Sequence, residues 1–164
     1  MGMTALDGLP MGTRPGALDP GVVLHLVQRK GLDGAALSQL LYNGCGLLGV
    51  SGISGDMKTL AESADPRAAE ARALYAFRAA KEIGAMAAVL GGLDGLVFTG
   101  GVGEHDEGIR AAVVRRCAWL GLTLDEAANA LHGPVIATGI PALVLRTDEE
   151  GVIARATAAI LRLA

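Results

Sequence analysis

Aromatic residues are scarce in this 164-residue chain, at 3%, and there are only two cysteines. With so few rings, a core has to come from close-packed aliphatic side chains, and the hydrophobic fraction of 51% leans on Ala, Leu and Val to supply them. Cys45 and Cys117 lie far apart without paired metal spacing, which excludes a disulfide framework or a zinc cluster. They are expected as reduced thiols that behave as small buried apolar residues in a cytoplasmic protein. Charge of one sign is also lacking: 14 basic residues face 17 acidic ones for a formal net charge of -3, with no block of either. That excludes the electrostatic footprint of a nucleic-acid or anionic-membrane binder and leaves small molecules as the expected partners. The apolar stretch Ile83 to Leu93 is broken by Gly84, Gly91 and Gly92 and falls far short of the roughly 20 residues a membrane span needs. No basic patch followed by an apolar segment opens the chain, so no signal peptide is expected. His25, His105 and Cys117 form no metal-ligand spacing, and no Ser, His and Asp set suggests a hydrolase.

What the chain has in quantity is glycine, 24 residues of it. The first twenty positions hold Gly2, Gly8, Gly12, Gly16, Pro10, Pro15 and Pro20, a density that predicts a loop. Asp19 before Pro20 predicts a helix cap, with a helix running to Gly31, and a second short helix is expected at about Ala35 to Tyr42. The longest helix is predicted from the capping pair Asp65 and Pro66 to the stop at Gly91 and Gly92. Gly95 to Thr99 reads as a buried strand leading through a glycine loop into a helix from Ile109 to Leu120. Val135 to Ala137 and Ala142 to Leu145 read as strands, and Val152 to Leu163 as a closing helix. Strands alternating with helices predict one α/β domain with a mostly parallel sheet. Ligands of such sheets bind outside the carboxyl ends of the strands, here the glycine loop after Thr99 and the acidic turn after Arg146.

Four segments could carry chemistry. Phe98-Thr99-Gly100-Gly101-Val102-Gly103-Glu104-His105 offers bare backbone that an anion can approach. It is not a dinucleotide fingerprint, because the third glycine would fall on Asp106, and by itself it serves a plain turn equally well. Ser51-Gly52-Ile53-Ser54-Gly55-Asp56-Met57-Lys58 either lines a ligand or turns the chain. Met11-Gly12-Thr13-Arg14-Pro15-Gly16 presents one arginine, whose planar fork suits phosphoryl or carboxylate oxygens, although a solvated surface arginine has the same pattern. Thr147-Asp148-Glu149-Glu150 places carboxylates where a helix N-terminus favours them and where magnesium could take an oxygen ligand.

In order along the chain, these segments resemble the acetate kinase family. The likeness is carried by Met11-Gly12-Thr13-Arg14 with Asp19-Pro20, Gly46-Leu47-Leu48-Gly49-Val50-Ser51-Gly52, Ser54-Gly55-Asp56-Met57, Phe98-Thr99-Gly100-Gly101-Val102-Gly103-Glu104, and Thr147-Asp148-Glu149-Glu150 with Ile153-Ala154-Arg155. The resemblance covers residues 1–164 but only the later part of a family member. It implies a ribonuclease H-like lobe of the sugar kinase and actin superfamily, a mixed sheet flanked by helices, serving as the C-terminal nucleotide-binding lobe with the N-terminal lobe absent. The implied activity is transfer of the ATP γ-phosphoryl group to acetate, with ATP and Mg²⁺ as cofactors. The missing lobe and a second copy in a homodimer are the implied partners. By the same resemblance Arg14 steadies the phosphoryl group, and Asp56, Met57 and Lys58 lie beside the nucleotide base. Gly101, Val102, Gly103, Glu104 and His105 contact the phosphates, and Glu149 binds magnesium. Lys58 stands where members commonly carry Arg, and His105 where they carry Asn. The alternatives are a propionate or butyrate kinase lobe, and a non-catalytic nucleotide-binding or dimerisation module.

Overall fold

The computed structural model describes residues 2–161. Among the described residues no helix or strand precedes Pro20, as the glycine and proline density predicts. Helix α1 (Pro20–Lys30) begins where the Asp19 carboxylate accepts the Gly21 N–H at 2.8 Å, and it stops at Gly31, which takes a left-handed φ of 68°. Helix α2 (Gly34–Asn43) is capped by Asp33. Helix α5 (Pro66–Leu90) has both predicted ends: the Asp65 carboxylate accepts the Arg67 N–H, and Gly91 closes it at φ 76°. Its buried positions are alanines 68, 71, 76 and 87, so neighbours can approach its backbone closely. Helix α7 (Glu107–Arg116), α3 (Gly46–Ser51) and α4 (Met57–Glu62) pack against it.

Beyond α5, strand β1 (Leu96–Phe98) leads into helix α6 (Gly100–His105) and then α7. A 3-10 turn (Ala118–Leu120), strand β2 (Leu122–Leu124), helix α8 (Glu126–Ala130), strands β3 (Val135–Gly139) and β4 (Ala142–Val144), and helix α9 (Glu149–Leu161) follow. The predicted end of the last helix at Leu163 lies outside the described residues. The core gathers Leu60 from α4, Val113 and Val114 from α7, Cys117, Leu122 from β2, Ile136 and Ala142, all fully or nearly fully buried. It is aliphatic, as the composition demands. Cys117 is buried, Cys45 is half-buried, and both are free thiols.

The sheet corrects the expectation of mostly parallel strands. Its order is β1-β4-β3-β2, and only β1 with β4 is parallel; β3 pairs antiparallel with both β4 and β2. The reason is connection length. Only Ile140 and Pro141 separate β3 from β4, and so short a link can make a hairpin but not a crossover. Gly139, at φ 77°, forms that bend, and a Cβ there would collide with the Gly121 carbonyl oxygen. The helix expected from Ile109 begins earlier, at Glu107, because Asp106 caps it, and it gives way to the 3-10 turn after Arg116.

The predicted glycine loop is also corrected: residues 100–105 form helix α6. Glycine is a poor helix former, and tertiary contacts supply what propensity lacks. The Glu104 carboxylate turns back to accept the Gly100 N–H at 3.0 Å, and Gly103 lies so close to β1 that a Cβ would sit 3.1 Å from the Phe98 carbonyl carbon.

Candidate nucleotide-binding cleft

The loop that carries Arg14 is held by backbone bonds. Met11 N–H donates to the Arg14 carbonyl at 2.9 Å, closing the turn, while Leu47 and Leu48 N–H groups donate to the Met11 and Gly12 carbonyls, each at 2.9 Å. The first turn of α3 thereby finds acceptors for donors that a helix start leaves free. Gly46 sits at φ 61° against this loop, where a Cβ would collide with the Met11 carbonyl oxygen. The Thr13 hydroxyl donates to the Tyr42 carbonyl at 2.7 Å, tying the loop to α2 as well. The Arg14 side chain is half-buried and enters none of the ion pairs among the described residues.

A cleft of about 1160 Å³ opens beside this loop. Met11 and Gly12 form one border, Asp56, Met57 and Lys58 a second, and Gly101, Val102 and His105 a third. Arg72 and Tyr75 of α5, with Asp106, complete it. Asp56 is the N-cap of α4: its carboxylate accepts from the Thr59 N–H at 2.7 Å and the Thr59 hydroxyl at 2.9 Å, and these bonds hold it below the usual aspartate range. Met57 is buried, whereas Lys58 and His105 are exposed at the rim.

Of the residues singled out by sequence, the cleft therefore gathers Asp56, Met57, Lys58, Gly101, Val102 and His105. Gly103 is turned toward β1 and borders a separate apolar cavity of about 380 Å³ between α5 and β1. Glu104 faces a third cavity of about 370 Å³, which it shares with His105, His132 and Arg146. Arg14 and Glu149 line none of these three cavities. Glu149 is exposed in the first turn of α9, beside Asp148, which accepts the Gly151 N–H at 3.0 Å and pairs with Arg155 at 3.4 Å. His105 borders both the large cleft and the cavity containing Arg146, so it stands on the path from the cleft toward the acidic turn.

The Glu104 carboxylate connects these parts. Beside the Gly100 N–H it accepts the Thr147 N–H at 3.0 Å and the Thr147 hydroxyl at 3.2 Å. Those bonds, the Thr147 N–H foremost, hold its acid below the ordinary value of 4.5. One side chain thus joins α6 to the turn that precedes Glu149.

Sequence reasoning missed Arg72, Asp106 and Arg110. Arg110 is completely buried. It donates to the Asn129 side chain at 2.8 Å, the Gly103 and Glu104 carbonyls at 3.0 and 2.9 Å, and the Asn129 carbonyl at 3.0 Å, and it also meets the His132 ring. Burial pushes its pKa down. His132 adopts a φ of 50°, unusual for a residue with a side chain. The one available signal was Asp106 followed by Glu107, a cap pattern at the mouth of α7.

Among the described residues no cluster of three or more His, Cys, Asp or Glu side chains could hold a metal ion by itself, and no helix is long and apolar enough to cross a membrane.

Comparison with known proteins agrees with this architecture. The model of the Acetokinase family matches residues 1–155. The acetate kinase of Rhodopseudomonas palustris strain TIE-1 is 54% identical over 160 residues, covering 94% of this chain and 40% of that protein. The acetate kinase of Nitrobacter hamburgensis is 49% identical over 164 residues, covering 98% of this chain and 41% of that protein. Among solved structures, Porphyromonas gingivalis acetate kinase superposes with a TM-score of 0.89 at 39% identity, covering 98% of this chain and 43% of that one. A propionate kinase from Francisella tularensis gives 0.88 at 34% identity, covering 94% and 41%. The chain spans about two fifths of the length of the relatives it matches. With a family model matched along most of its length and the same fold in relatives of clear identity, this chain belongs to the acetokinase family.

Proposed function

We propose that this chain supplies the nucleotide half of an acetate kinase site, in which the γ-phosphoryl group of ATP passes to acetate. A carboxylate oxygen of acetate forms the new bond to the γ-phosphorus, the bond from that phosphorus to the β–γ bridging oxygen breaks, and ADP leaves with the electron pair. The observation that carries this reading is the cleft itself: it draws together residues 56–58 with Gly101, Val102 and His105, far apart in sequence, beside the Arg14 loop. The nucleoside would lie between Asp56-Met57-Lys58 and Gly101-Val102. The phosphates would run past His105, which borders both cavities, toward Arg146 and Thr147.

Phosphoryl transfer asks a protein mainly to place donors and cations around spreading negative charge. Arg14 would supply the planar cation, on a loop whose backbone is pinned by α3. Glu149 is an exposed single carboxylate, which fits a magnesium ion completed by phosphate oxygens and water. Bound there, magnesium would neutralise charge on the phosphates. The acceptor pocket would come from the remaining three fifths of a family member, so the chain by itself is expected to be inactive. Two free thiols and an ATP substrate support a cytoplasmic setting.

A second reading of the acceptor is favoured by the propionate kinase likeness: a longer carboxylate, chosen outside this chain. A non-catalytic role in nucleotide binding or in pairing two copies is the remaining one. Calorimetric titration of ATP with Mg²⁺ into the chain tests the nucleotide reading, with saturable binding expected and none overturning it. In a complete two-lobed protein, Arg14→Ala is expected to lower kcat about 10³- to 10⁵-fold. Unchanged turnover would leave only the binding role.

A further inference from the structure

Arg72 lies in the second turn of α5, and the two walls of the cleft meet on its guanidinium. Its Nη1 donates to the Met57 carbonyl at 3.1 Å and to Asp106 Oδ2 at 2.7 Å, while Nη2 donates to Asp106 Oδ1 at 3.0 Å. The two side chains are only 18% and 15% exposed. Asp106 Oδ1 also accepts the Ile109 N–H at 2.9 Å and so caps α7 immediately after the glycine segment. Met57 opens α4 immediately after Asp56. One planar fork therefore joins the start of α4 to the junction of α6 and α7, with α5 as its anchor.

The surroundings are shaped for this fork. A Cβ at Gly108 would lie 3.1 Å from Arg72 Nη2, so a larger residue there would crowd the guanidinium. Tyr75, nearly one turn further along α5, lines the same cleft, and burial, then the Asp106 charge, pushes its hydroxyl pKa up. A bidentate pair with little exposure is stronger and more directional than a surface ion pair. Its extra contact to a main-chain carbonyl fixes a wall, where a contact to another side chain would not.

We propose that Arg72 is a positioning residue: clasped to Asp106 and the Met57 carbonyl, it sets the gap between residues 56–58 and 101–105, and hence the fit of the nucleoside end of the ligand. This rests on the nucleotide reading of the cleft. Arg72 acts on the nucleoside end because its contacts lie at Met57 and Asp106, whereas the phosphate end leads away past His105.

The test has two arms, each applied to the full chain and to its Arg72→Met, Arg72→Lys and Asp106→Asn variants. In amide hydrogen exchange, Arg72→Met is expected to speed exchange about tenfold or more in both segments 57–62 and 100–106. Val113 and Val114 in the core of α7 should stay protected, and Arg72→Lys should recover part of the loss. Unchanged exchange in either segment overturns the clasp. In calorimetry, affinity for ATP with Mg²⁺ is expected to fall about tenfold or more in Arg72→Met, while affinity for inorganic tripolyphosphate with Mg²⁺ stays within about twofold. Equal losses for the two ligands would show a general loss of structure or a phosphate role and overturn the assignment. If the unsubstituted chain binds neither ligand, the nucleotide reading and the nucleoside-end role fall together, and hydrogen exchange still decides the clasp by itself.

Discussion

Gly12 and Gly55 face each other backbone to backbone: a Cβ on Gly12 would lie 2.7 Å from the Gly55 carbonyl oxygen, and one on Gly55 would lie 2.8 Å from that of Gly12. Neither glycine is there for an unusual φ. Each is needed because the loop carrying Arg14 and the segment leading to Asp56 touch with no room for a side chain. This contact gives the cleft its first two borders.

Alanine at either position should therefore push the two segments apart. Gly12→Ala and Gly55→Ala are each expected to cost about 1–3 kcal/mol, the usual penalty for overpacking. Urea denaturation measures it, and loss of ATP binding should accompany the shift. Full stability in both variants would show that the segments separate freely.

Acid should loosen the link between α6 and the turn before Glu149. The Glu104 carboxylate has its folded pKa depressed by bonds from Thr147 and Gly100. Its contribution is thus present above the ordinary value of 4.5 and is lost as pH falls through the lower, folded value. Melting temperatures of the chain and of Glu104→Gln, followed from neutral pH into acid, should converge as the pH drops. A difference that stays constant across that range would contradict the assignment.

Removing the Arg110 side chain should be severe. Its loss leaves the Gly103, Glu104 and Asn129 carbonyls and the Asn129 side-chain oxygen in need of donors. Arg110→Met is expected to destabilise by about 3–5 kcal/mol. Arg110→Lys should recover less than half, because an ammonium cannot reproduce the planar fork. Chemical denaturation reads both.

The open edge of the sheet should be sticky. Strand β1 is an edge strand with Val97 exposed, and Met86, Val89 and Leu90 of α5 are exposed too. Unpaired edges beside apolar surface recruit other strands. Sedimentation of the chain is expected to depend on concentration, and Val97→Lys should shift it toward the monomer. If monomers persist at high concentration, the edge is protected in some other way.

Local rules were legible where a few neighbouring residues decide the outcome. Asp19-Pro20 and Asp65-Pro66 mark helix starts, and Gly31 and Gly91 mark stops, because caps and left-handed ends depend on adjacent atoms alone. The mixed pairing of the sheet was less clear, since β2 has only three residues, and three residues cannot display a period. Helix α6 ran against its own glycines and needed Glu104 and the backbone of β1 to form. The ordered motifs pointed to the family, and the comparisons agree. They could not say which motif residues share a cavity.

The sequence by itself determined the aliphatic core, the capped helices and the order of the segments, since each depends on composition or on contacts a few residues apart. Only the tertiary structure decided that residues 56–58 border one cleft with Gly101, Val102 and His105, that Gly103 and Glu104 turn away from it, and that Arg72 joins its walls. Those outcomes depend on distances between residues remote along the chain, and such distances exist only once the core has packed.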